Sequence, residues 1–250
     1  MPKVVWITGA SQGLGAALAA LYAQKNFNVV LTARNEDKLV QVKSRLVGDG
    51  HLVCPGDVTD EETMRDILSK INATYQRLDV AILNAGTHNP LLPENYNHAV
   101  FQQLVDINIM GVVNSLLPTI DVMKAYQTGQ IAVVSSVAGY IGLPTASAYG
   151  LTKAGLINMC ETMHVELRSY GIDLRLVSPG FVRTPLTDKN DFPMPFLLEP
   201  EDAAQRIYRG LQKNTFEISF PWQLVWALRL LRALPYGLSL RLTSLFQPKS

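Results

Sequence analysis

The sequence predicts an α/β fold: a doubly wound, mainly parallel seven-stranded sheet flanked by helices. Two observations predict it. Short apolar runs rich in β-branched residues alternate with longer stretches of helical periodicity, the rhythm of repeated βαβ units. The apolar runs are also continuous rather than alternating, as strands buried on both faces require. Strands are expected at Val4–Thr8, Asn28–Thr32, His51–Cys54, Val80–Asn84, Gln130–Ser135 and Asp173–Ser178, with a weaker seventh at Phe216–Ser219. Helices are expected near Leu14–Lys25, Glu36–Val47, Glu61–Gln76, Asn97–Met123 (broken part-way) and Ala148–Tyr170. No repeat or linker divides the chain, so residues 1–220 read as one domain. Within it, 184–200 carries four prolines and several large apolar side chains, and reads as a loop or lid over a substrate. Residues 221–250 read as a helical extension of the same domain.

Composition narrows the partners. Lys plus Arg at 22 against Asp plus Glu at 21 leave a net charge of +1, so no nucleic-acid-binding face is expected. Hydrophobic residues at 48% and charged ones at 17% supply a sizeable core and argue against a disordered chain. Cys54 and Cys160 sit among apolar neighbours and read as core thiols in a reducing compartment, not as a disulfide. His51, His88, His98 and His164 lack Cys or Glu partners at ligand intervals, so no metal is expected. The first residues reach Gly9 too soon for a signal peptide, and a cytoplasmic location is expected.

Between the first strand and first helix stands Thr8-Gly9-Ala10-Ser11-Gln12-Gly13-Leu14-Gly15. Glycines so placed allow a tight turn, let backbone approach a pyrophosphate, and let the helix pack closely on the strand. The helix N-terminus then offers free N–H groups and the positive end of its dipole. This is a dinucleotide cradle, and it makes the expected fold Rossmann-type. After the second strand, Leu31-Thr32-Ala33-Arg34 offers no carboxylate to accept from a ribose 2′-hydroxyl, as an NAD site typically does. Arg34 instead presents a planar fork of donors suited to a 2′-phosphate. NADP(H) is the expected cofactor, with NAD(H) the alternative.

Tyr149 and Lys153 stand at i and i+4, on one face of a helix. A phenol of pKa ~10 shuttles protons poorly at neutral pH, and bringing it to about 7 takes roughly 4 kcal/mol. A cation ~4 Å away at an effective dielectric of ~20 supplies that much, so the lysine is expected to acidify the phenol. Ser135-Ser136 closes the fifth strand, and Asp57-Val58 and Asn84-Ala85-Gly86 follow the third and fourth. All lie on the carboxyl edge of the sheet, where ligands bind in such folds.

Taken together, these motifs resemble the short-chain dehydrogenase/reductase family over Lys3–Phe220. The resemblance implies an oxidoreductase that moves hydride between NADP(H) and a carbonyl or alcohol substrate. It implies a catalytic tetrad of Asn108, Ser136, Tyr149 and Lys153. Tyr149 would donate the proton, Ser136 would polarise the carbonyl, Lys153 would hold the nicotinamide ribose and lower the Tyr pKa, and Asn108 would fix a water of the proton relay. It further implies a cofactor site of Gly9, Ser11, Gln12, Gly13, Leu14, Gly15, Arg34, Asp57, Val58, Asn84, Ala85, Gly86, Tyr149, Lys153, Pro179, Gly180, Val182 and Thr184. Leu83 stands where the family often has a second Asn, and Gln12 where some NADP-dependent members carry a base, which leaves Arg34 as the main phosphate anchor. A homodimer or homotetramer is the family's common state. The rival reading is a dinucleotide sensor without chemistry, which would not need Ser136, Tyr149 and Lys153 as a set.

Loops Thr87–Asn97, Val137–Ala146 and Thr184–Pro200 are expected to line the substrate pocket. The apolar run Phe192–Leu198 suggests a hydrophobic ketone or aldehyde, or else a lid packed on its own protein. His88 reads as a loop polar group rather than a second acid. The stretch Pro221–Leu234, with Trp222, Trp226, Arg229 and Arg232, suits three uses: a peripheral membrane contact within 221–246, a subunit interface, or a cap on the pocket. Its longest uncharged run, Ile218–Leu228, is too short to span a bilayer.

Overall fold

In the computed structural model, Val4 and Trp6 of the first strand pack into one layer of the core while Val5 and Ile7 pack into the other. A strand covered on both faces alternates sides at every residue, so each position must be apolar. The structure describes residues 2–189 and 191–247. Met1, Asn190 of the expected lid and 248–250 of the expected extension lie outside them.

The strands are β1 (Lys3–Thr8), β2 (Phe27–Thr32), β3 (Leu52–Val53), β4 (Val80–Leu83), β5 (Gly129–Val134), β6 (Ile172–Pro179) and β7 (Glu217–Phe220). They form one sheet in the order β3-β2-β1-β4-β5-β6-β7, and every pairing is parallel. Helices α1 (Gly13–Gln24), α2 (Glu36–Lys43) and α7 (Pro200–Leu211) contribute Leu18, Leu39 and Ile207 to one face. Helices α3 (Glu61–Tyr75), α5 (Gly111–Tyr126) and α6 (Ser147–Leu167) contribute Met64, Leu116 and Leu156 to the other. Chain order reverses at β1, whose neighbours are β2 and β4, and a crevice opens there at the carboxyl ends. Cys54 and Cys160 are buried and not disulfide-bonded.

Several elements depart from expectation, each for a local reason. β3 shrinks to two residues because His51 joins the edge with its side chain: Nδ1 accepts from Val29 N–H at 3.1 Å. The expected break in Asn97–Met123 is a π-helical turn, Asp106–Met110, between α4 (His98–Val105) and α5. The resulting helix, His98–Tyr126, is long and apolar enough to cross a bilayer by length and composition, yet Val112, Leu116, Ile120 and Met123 set it into the core. Helix α7 was not anticipated. Its signals are Pro200 at the first turn, Glu201 and Asp202 beside it, and Ala203, Ala204, Ile207 and Leu211 on one face, and the proline-rich stretch before it obscures them. The 184–200 loop has its neck closed by a bridge between Val182 and Leu198, with Arg183 N–H donating to Leu198 O at 2.8 Å. Beyond β7 come α8 (Trp222–Ala233) and α9 (Tyr236–Thr243).

At the crevice, the buried Thr8 hydroxyl accepts from the backbone N–H groups of Asn84 (3.0 Å) and Ala85 (3.1 Å). Thr8→Val keeps the shape and removes both acceptor bonds. It should lower unfolding free energy by about 1–3 kcal/mol, read from urea denaturation of the two proteins.

Candidate active site

The crevice is a cleft of about 510 Å³ along the carboxyl ends of the central strands. Its floor is the turn from β1 to α1. Gly9 (φ 68°) and Gly13 (φ 54°) adopt left-handed backbone, and a Cβ on Gly15 would overlap the carbonyl oxygen of Gly9. Asn84 Nδ2 donates to the carbonyls of Thr8 (3.1 Å) and Gly9 (3.3 Å), which ties the turn to the end of β4. No side chain caps the α1 N-terminus and no acid stands in its first turn. The positive end of this helix therefore meets the cleft uncompensated, as an anion such as a pyrophosphate requires.

One end of the cleft is cationic. Arg34 is exposed on its rim, with Asp57 at 4.0 Å, a loose surface pair worth little. Asp57 is held by the N–H and hydroxyl of Thr59, both at 3.0 Å. Lys38 lines the same end. It escaped the sequence reading although it sits one helical turn from Arg34, because only the cap on α2, Asn35 Oδ1 accepting from Lys38 N–H at 2.8 Å, sets the helix in this phase.

The other end brings together the residues expected to do chemistry. Ser136, just beyond β5, accepts from Ala138 N–H (3.2 Å) and donates to the Pro179 carbonyl (3.3 Å). Tyr149 and Lys153 line the cleft from α6. Lys153 Nζ donates to the Val134 carbonyl (3.0 Å) and stands 5.5 Å from the centre of the Tyr149 ring. Its burial lowers the ammonium to about 8. The expected acidification of Tyr149 is not found in this site. Burial pushes the phenol up to about 12, and the opposing influence is a hydrogen bond with Ser136, not the lysine. Desolvation penalises the phenolate more than its surroundings repay.

Asn108 lies within the π-helical turn, fully buried. Its Oδ1 accepts from Thr87 N–H (2.7 Å), and Nδ2 donates to Thr87 O (2.9 Å) and Thr152 Oγ1 (3.1 Å). Asn108 Oδ1 and Lys153 Nζ lie 3.3 and 3.7 Å from where a Gly86 Cβ would stand, so both approach the loop after β4 closely.

Of the expected cofactor residues, all but Pro179 line the cleft; Asn108 and Ser136 lie behind its wall. From the 184–200 loop, Thr184, Pro185, Leu186 and Thr187 face it, whereas the apolar run Phe192–Leu198 does not. His88 meets the Tyr149 ring edge-on at 4.6 Å, closer to the site than its loop position implied.

The model of the short chain dehydrogenases matches residues 3–193. The chain belongs to that family. An uncharacterized oxidoreductase of Myxococcus xanthus is 32% identical over 235 residues, covering 93% of each chain. A 3-oxoacyl-[acyl-carrier-protein] reductase of Thermotoga maritima is 32% identical over 82% of this chain and 88% of its own. The structure of ElxO with NADP bound superposes with a TM-score of 0.76 at 27% identity, covering 88% of this chain and 98% of that one. The protein is thus an oxidoreductase whose cofactor is a nicotinamide dinucleotide, and the glycine cradle with its uncapped helix fits that group.

Gly15→Ala places a methyl group against the Gly9 carbonyl and must open the cradle. Dinucleotide affinity should fall by about tenfold or more, equivalent to at least ~1.4 kcal/mol. Isothermal titration with NADPH and NADH checks this.

Proposed function

We propose that the protein reduces the carbonyl group of a ketone or aldehyde with NADPH and can run in reverse on the alcohol. The observation that carries this reading is the presence of Tyr149 and Lys153 at one end of the cleft, with Ser136 within hydrogen-bonding reach of the phenol from behind its wall. When bound, the nicotinamide supplies the hydride for reduction or accepts it in reverse. The protein's part is the proton and the orientation. A phenol held at about 12 is fully protonated at neutral pH, the state a proton donor to a nascent alkoxide needs. The Ser136 hydroxyl, within hydrogen-bonding reach of that phenol, would exchange the Pro179 carbonyl for the same substrate oxygen. Lys153, at about 8, is mostly cationic at neutral pH and favours negative charge developing on that oxygen. Asn108 acts as a positioning residue: its amide bonds Thr87 and Thr152, pinning the loop after β4 to α6.

NADP(H) over NAD(H) is supported by Arg34 and Lys38 at one end of the cleft and by the absence of a carboxylate at the end of β2. The NADP bound to ElxO points the same way. An apolar substrate body is supported by the acyl substrate named for the Thermotoga relative. Assembly into a dimer or tetramer, with Leu117 of α5 and Val165 of α6 exposed for contact, belongs to the same reading.

Two measurements test it. Tyr149→Phe should bind NADPH as before and lose about 10²–10⁴-fold in turnover on a panel of ketones and aldehydes; undiminished turnover removes Tyr149 as the donor. Arg34→Ala with Lys38→Ala should raise the dissociation constant of NADPH by about 10–100-fold, the loss expected for charge-assisted hydrogen bonds, and leave NADH nearly unchanged. Equal loss for both nucleotides overturns the cofactor preference.

A further inference from the structure

Helix α8 has two faces with different employment. Val225 and Leu228, with Leu224 and Leu231, pack on Val137, Tyr140, Ile141 and Leu143, the segment that follows Ser136. Glu217 of β7 locks this contact by accepting from both the Tyr140 hydroxyl and Arg229. The opposite face repeats every fourth residue as Trp222, Trp226 and Leu230, exposed by 67%, 57% and 64%. Nothing among the described residues covers them.

Helix α9 is inverted relative to a normal surface helix. It buries Ser239 and Thr243, at 3% and 5% exposure, and turns out Tyr236, Leu238 and Leu240. Leu245 and Phe246 follow, also exposed. Single exposed apolar residues need no explanation. A run of eight within 222–246, on two successive helices, marks a surface made for an apolar partner.

Charge selects the partner. From Ile218 to Gln247 the chain holds Arg229, Arg232 and Arg241 and no acid. Arg229 is spent on Glu217, while Arg232 lies over the Tyr236 ring. Arg232 and Arg241 form no ion pair among the described residues. A second copy docked here would bring the same arginines and no carboxylate, so like charges would meet. An anionic bilayer offers phosphates for the guanidinium forks and an interfacial layer in which tryptophan is favoured. At 12 residues α8 is about 18 Å long, too short to cross ~30 Å of hydrocarbon. It is suited to lie in the plane of the interface.

We propose that Trp222, Trp226 and Leu230 of α8, with Leu238, Leu240, Leu245 and Phe246, form a peripheral docking surface for an anionic lipid bilayer, held by Arg232 and Arg241. This surface does not depend on the reductase reading. It would set the bilayer across α8 from the segment following Ser136.

The test uses the full chain in flotation with phosphatidylcholine vesicles, with and without phosphatidylglycerol. The protein should float with the anionic vesicles, release at high salt, and show blue-shifted tryptophan emission, Trp6 being buried already. Trp222→Ser with Trp226→Ser should cut binding by about tenfold or more. Arg232→Gln with Arg241→Gln, two exposed positions of which Arg232 touches a neighbour, the exposed Tyr236, should cut it to the level of neutral vesicles. NADPH affinity should stay constant in both variants, which keeps the outcome separate from the cofactor site. Absence of flotation, or equal binding to neutral vesicles, overturns the proposal. So does a dimer in sedimentation velocity that Trp226→Ser dissociates, since the face would then belong to a second copy.

Discussion

Thr8 and Asn84 hold together two strand ends that would otherwise part. Both β1 and β4 run out at the crevice, where the chain order of the sheet reverses and no further ladder bonds are available. The Thr8 hydroxyl takes two backbone N–H groups of the β4 side, and the Asn84 amide returns two bonds to the β1 side. The glycine turn that forms the cradle begins at the next residue. Its shape, the start of α1, and the approach of Gly86 to Asn108 and Lys153 all follow from this clamp. In a low-dielectric setting four mutually supporting hydrogen bonds make a rigid platform, and a rigid platform can hold a cofactor for transfer over a short distance.

At the reactive end, burial outweighs charge. A lysine one helical turn from a tyrosine suggests an acidified phenol, yet Lys153 directs its ammonium to the Val134 carbonyl and both groups are pulled toward their neutral forms. For the proposed reaction, the chemical consequence is an asymmetry of direction. A firmly protonated phenol is ready to donate to a carbonyl oxygen that gains charge, while taking a proton from an alcohol first requires the phenolate to be stabilised. The Ser136 hydroxyl opposes the effect of burial on the phenol, so in the proposed reduction serine and tyrosine would act as one hydrogen-bonded unit.

The C-terminal helices connect that unit to the outside. The same α8 that presents tryptophans to the exterior packs its other face on the turn beyond Ser136, with Tyr140, Glu217 and Arg229 as the joint. Two opposite faces of one helix thereby differ, one packed on the core and one exposed and apolar. Neither amphipathic pattern is clean in the sequence, because apolar residues serve both.

The sequence by itself determined the sheet, the order of its motifs and their convergence on one rim. Continuous apolar runs rich in β-branched residues suit strands buried on both faces, and the glycines between β1 and α1 admit few side chains at all. Other features needed the tertiary structure. His51 could shorten β3 only because its ring reaches the Val29 N–H across the sheet edge. Lys38 lines the cleft only through the phase of α2, and α7 follows a loop whose neck is closed by Val182 and Leu198. The protonation of Tyr149 and Lys153 was likewise undecided by spacing. Spacing sets which groups are near one another, whereas desolvation depends on everything else packed around them, and that is a property of the folded molecule alone.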